Sequence, residues 1–152
     1  MVRNITVKFP KHAPGKGVAK AARRQAVWMK AAQLDASDFS GYGTTQLVNM
    51  PADTMVTEIL VNISEAFTAS VTLTIGDGAD VDRFLDSASI APQTAGFKSS
   101  KQDGQPASGG HIYATADSID LVVAGATPSA GTIDVWFSYI SDVSELDLNT
   151  GQ

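Results

Sequence analysis

The sequence predicts an all-β fold, a two-sheet antiparallel sandwich or jelly roll of about eight strands, with an up-and-down barrel as the alternative. Three observations carry this reading. Apolar residues recur at every second position in several stretches, as in Ile59, Val61 and Ile63, in Val71, Leu73 and Ile75, and in Ile133, Val135, Phe137 and Tyr139. That is the period of a strand with one face in a core. Gly-, Pro-, Ser- and Asp-rich turns separate these stretches at short intervals. No set of segments supplies the repeated crossover helices that a parallel α/β sheet requires.

The elements follow in order. Residues 26–34 read as the first strand, although the Ala, Lys, Arg and Gln just before them are good helix formers. A Ser/Asp/Gly loop over 35–43 leads to a strand over 44–50, which Pro51 ends. Met55, Thr57, Ile59, Val61 and Ile63 then alternate with Glu58 and Asn62, and Val71–Ile75 alternates with Thr72 and Thr74. Gly76-Asp77-Gly78 has the chemistry of a tight turn. Residues 80–88 space Val81, Phe84 and Leu85 as in a short helix, or form a short strand with an aromatic plug. Residues 98–110 hold few large apolar side chains and read as a loop. Strands over 111–115, 118–123 and 132–140 complete the set, with Pro128 precluding a continuous ladder between the last two.

With 152 residues, 43% of them apolar, the chain suits a single domain with a real core. Cysteine is absent, which excludes disulfides, Cys-ligated zinc, iron–sulfur centres and a thiol nucleophile. No apolar run approaches the roughly 20 residues of a membrane-spanning helix, and the first residues lack the apolar stretch of a secretory signal. The net charge of −5 conceals a division: residues 1–30 carry +8 with no acid, whereas residues 31–152 carry −13. We therefore divide the chain into a basic N-terminal arm (1–25), a β-sandwich body (26–141) and an acidic C-terminal tail (142–152).

Catalytic patterns are missing. The two histidines, His12 and His111, neighbour no nucleophile-elbow or HExxH motif, and the chain reads as a non-enzyme that needs no cofactor. The densest acidic run holds Asp77, Asp80 and Asp82, with Asp86 beyond. Several oxygens at short spacing suit a hard cation, so these three are the candidate metal ligands. The run departs from an EF-hand loop, however, because Ala79 and Val81 stand where ligands would be needed. A turn whose aspartates accept backbone N–H groups accounts for it without a metal, and Arg83 can neutralise part of the charge.

The basic arm presents Arg3, Lys8, Lys11, Lys16, Lys20, Arg23 and Arg24. Such a charge could neutralise phosphates, but no base-reading helix or phosphate loop accompanies it and the acidic body would repel DNA. An acidic protein surface is the better partner. Trp28 is a candidate anchor at an interface. Trp136 and Ile140 fall on the opposite side of the last strand from Phe137 and Tyr139, so both faces of that strand are apolar. Something must cover the second face, and a neighbouring subunit is the expected cover.

The stretches LVNMPADTMVTEILVNISEAF, VTLTIGDGADVDRFLDS and HIYATADSIDLVVAGATPSAGTIDVWFSYI together resemble small virion structural proteins of tailed bacteriophages, in particular jelly-roll capsid cement or decoration proteins. The resemblance covers most of residues 44–141. It implies a β-sandwich subunit on the capsid exterior, with the major capsid protein and further copies of itself, as a homotrimer, for partners. A tail, neck or head-fibre subunit is the alternative within the same group, and a carbohydrate-binding sandwich the alternative outside it. In the shared pattern Pro51 ends a strand approach, Gly76 and Gly78 allow the turn, and Phe67 and Phe84 fill core.

Overall fold

A computed structural model of the chain describes residues 26–39, 43–101, 107 and 109–141; the arm, the tail and most of 102–108 lie outside the described residues. Eight strands are present among the described residues: β1 (Val27–Asp35), β2 (Gly43–Met50), β3 (Thr54–Glu65), β4 (Val71–Gly76), β5 (Gly96–Ser99), β6 (His111–Tyr113), β7 (Asp117–Gly125) and β8 (Thr132–Ser141). A 3-10 turn (Ala36–Phe39) follows β1, and one short helix, α1 (Ser87–Ile90), precedes β5.

The strands form two antiparallel sheets. The large sheet runs β1-β8-β3-β5, with β6 pairing β3 beside β5, and the small sheet runs β2-β7-β4. The pairing is nested: β1 with β8, β2 with β7, β3 with β6, and β4 with Leu85 through a bridge at Ile75. Successive strands β1 to β4 alternate between the sheets, so the chain folds as a long hairpin rolled over on itself, the jelly-roll arrangement. This excludes the barrel alternative, since neither sheet closes.

Alternation decides the core. Ile133, Val135 and Phe137 from β8, Ile59, Val61 and Ile63 from β3, Leu73 and Ile75 from β4, and Ile119 and Leu121 from β7 are all buried in one cluster. Each fully buried side chain of this kind contributes about 1.5–3 kcal/mol relative to exposure. Phe39 and Phe67 meet at 5.5 Å between ring centres and close one end.

Three sequence expectations change. The helix expected over 80–88 is displaced: residues 80–86 turn back so that Leu85 bridges Ile75, and only Ser87–Ile90 is helical. Asp86 caps that helix, accepting the N–H of Ser89, and Ala91 ends it in the left-handed region. Phe84 is buried, as the aromatic plug requires. The loop expected from residue 98 begins inside strand β5, where Phe97 and Lys98 pair Asn62 and Val61. Finally, strict alternation puts Met55 on the side of Ile59, but a bulge between Val56 and Glu58 shifts the phase. Val56 takes the core side, Met55 faces outward, and the Thr57 hydroxyl bonds Ser138 at the bulge. An extra residue in one strand reverses every side-chain direction beyond it.

Candidate functional site

Register in the large sheet places the outward residues in rows. Ile140, Met55 and Ile112 form one row across β8, β3 and β6. Trp28, Ser138 and Glu58 form the next, followed by Lys30, Trp136, Leu60 and Ser99. A last row holds Gln33, Asp134, Asn62 and Phe97. The two candidate tryptophans therefore share one face and stand in adjacent rows of neighbouring strands. Trp28 is 50% exposed, Phe97 65% and Ile112 63%, whereas Trp136, Leu60, Met55 and Ile140 are half-buried.

The charges on this face are paired within the molecule. Lys30 Nζ lies 2.6 Å from Asp134 Oδ1 and also sits 5.5 Å above the Trp136 ring. Lys101 Nζ is 3.4 Å from Glu58 Oε2, while Glu58 Oε1 accepts the Ser99 hydroxyl at 2.6 Å. Cation–π contact and ion pairing together orient Lys30 along the sheet and leave the rings as the prominent feature. What this arrangement can do is bury apolar area against another uncharged surface.

The acidic run has a different fate. Asp77 is buried; its Oδ1 accepts the N–H groups of Ala79 (3.0 Å) and Asp80 (2.9 Å), and its Oδ2 receives Arg83 Nε. A side chain at Gly76 would overlap the Asp80 carbonyl, so glycine is required where this turn folds back. His111 Nε2 stands 3.7 Å from the same Asp77 oxygen, and burial followed by the Arg83 charge lowers its pKa. The Asp80 hydrogen bond, then burial, raises the Asp82 carboxyl. Among the described residues no three His, Asp or Glu side chains are placed to hold a metal ion. Asp77 thus serves as the turn's internal acceptor and the partner of Arg83, with Asp80 and Asp82 outside any convergent set.

Arg3, Lys8, Lys11, Lys16, Lys20, Arg23 and Arg24 all lie outside the described residues. Sequence reading missed Phe97 and Ile112. Phe97 sits in a strand only four residues long, and Ile112 in one of three, too short for alternation to register; they become neighbours of Asn62 and Met55 only through pairing with β3.

No protein-family model and no curated protein matches the sequence. Solved structures do share the fold. A chain in the acidic stable capsid structure of Helicobacter pylori bacteriophage KHP30 matches with a TM-score of 0.56 at 14% identity, over 78% of this chain and 94% of that one. A chain in the cyanophage Pam1 capsid asymmetric unit matches at 0.55 and 16% identity, over 93% and 99%. A chain in the capsid of Ralstonia phage GP4 matches at 0.54 and 16%, over 88% and 91%. This chain is therefore similar in fold, across nearly the whole of each neighbour, to small chains found in phage capsid structures.

Proposed function

We propose that this protein is a bacteriophage capsid cement protein, a non-catalytic subunit that binds the outer surface of the shell as a trimer and bridges neighbouring capsomers. The observation that carries the reading is the near-complete, two-way overlap with chains of comparable length in three phage capsid structures. Such overlap favours a small accessory subunit of the shell over a tail, neck or fibre part. The acidic body and the basic arm then divide the labour: the sandwich is the rigid block, and the seven basic residues of 1–25 attach it to an acidic shell surface. Many copies of a modest contact, repeated over a lattice, stabilise a shell without any single large interface.

The test is co-sedimentation of the purified protein with expanded phage shells that lack it. Binding is expected, together with greater resistance of the loaded shells to heat. Replacing the seven basic residues of 1–25 with Gln is expected to abolish binding while the body stays folded, and binding by the native chain is expected to weaken as salt rises. Shells that bind the neutralised variant as well as the native chain would exclude the arm as the attachment, and no binding by the native chain would exclude the cement role.

A further inference from the structure

We propose that a second copy of this chain covers the outer face of the large sheet, with Trp28 of one copy lying against Phe97 of the next. The proposal deepens the trimer named above and rests on that reading for its biological setting, although its test requires no shell.

Charge is the first argument. Residues 31–152 carry −13, so two bodies repel wherever unpaired acids face one another. On this face the nearby charges are already matched within the molecule, Lys30 with Asp134 and Lys101 with Glu58. A partner must therefore be apolar and must bring no net charge. This face itself meets both conditions.

Relief is the second argument. The exposed apolar side chains stand at opposite margins of the sheet, Trp28 on β1 and Phe97 and Ile112 on β5 and β6. Between them Trp136 and Leu60 are half-buried, and the Ser138 and Ser99 positions are small. One margin of a copy can thus meet the other margin of its neighbour, the unlike contact from which rings close.

Size sets the strength. From Asp134 to Ile140 the face is about 20 Å long, and its four columns of strands span about 15 Å. The footprint is well below the ~800 Å² per partner of a standard stable interface. Association is therefore expected to be reversible in the micromolar range and to become saturated only where copies are held close, as on a lattice.

Sedimentation equilibrium of the full-length protein over a wide range of concentration tests this. The average mass is expected to rise above 15.9 kDa with concentration. Trp28→Ser and Phe97→Ser are each expected to weaken association about tenfold or more, as truncating an interface anchor does. Because the two side chains meet, the double variant should be hardly weaker than the worse single one. Val81→Ser removes an equally exposed apolar side chain from the turn after β4 and should change nothing. Unchanged circular dichroism and melting temperature keep unfolding separate from loss of contact. A native chain that stays monomeric at every concentration overturns the proposal, as does association undiminished in the double variant or effects of the two substitutions that simply add. Self-association without shell binding would count against the cement role and leave this face standing.

Discussion

The two sheets share one core but present opposite outer surfaces. On the small sheet the outward positions include Thr44, Gln46 and Asn49 of β2, Asp120, Val122 and Ala124 of β7, and Thr72 and Thr74 of β4. These are small or polar side chains of the type that lets one face of an antiparallel sheet remain in water. On the large sheet the equivalent positions hold Trp28, Met55, Leu60, Phe97, Ile112, Trp136 and Ile140 among polar residues such as Lys30, Glu58 and Asn62. Both sheets obey the same inward alternation, so stability alone cannot explain the difference. A surface that only needs to be solvated is built from Thr and Gln; one that carries two tryptophans is built to be covered.

The largest effects should fall where the sheets are alike. Phe137→Ala in the large sheet and Leu121→Ala in the small one remove fully buried side chains of the shared core. Each is expected to cost about 2–5 kcal/mol in denaturant unfolding, in a single transition. Two separate transitions would break the picture of one core serving both sheets.

A smaller effect should come from Asp120, outward on β7 and opposite Gly76 and Gln46. Its Oδ1 is buried without a hydrogen-bond partner among the described residues. Burial raises its carboxyl above the ordinary 3.8, against a lowering by the Ser118 hydrogen bond, and the Asp117 and Asp77 charges add to the rise. The folded state therefore takes up this proton more readily than the unfolded chain. The charge is a burden above the folded pKa, relieved as pH falls through it. Asp120→Asn is expected to melt higher than the native chain at pH 7, with the advantage vanishing below pH 3.8. A lower melting temperature at pH 7 would mean that the carboxylate is held by contacts stronger than Ser118.

The smallest effect sharpens the comparison itself. Thr72→Leu adds one apolar side chain to the small sheet's exposed outer face, and stability should move by no more than about 0.5 kcal/mol. Self-association should be unchanged, because a single apolar residue in a polar field makes no interface. Tighter self-association of this variant than of the native chain would show that the difference between the two faces is one of degree.

The strand class and most of the core were legible in the residues, because a period of two and Gly/Pro punctuation act over a few positions. Ile59, Val61 and Ile63 needed no partner to be read as inward. The two-sided apolar character of β8, with Trp136 and Ile140 opposite Phe137 and Tyr139, was equally local. What only the tertiary structure decided was everything set by pairing. The bulge at Thr57 turned Met55 outward, and strands as short as β5 and β6 exist because β3 offers them an edge. The acidic turn illustrates the same limit: spacing offers Asp77 to a cation, and folding instead buries it against Arg83 and its own backbone. Alternation is a property of one strand, whereas a face is made by several strands in register, and that register depends on contacts between residues far apart in the chain.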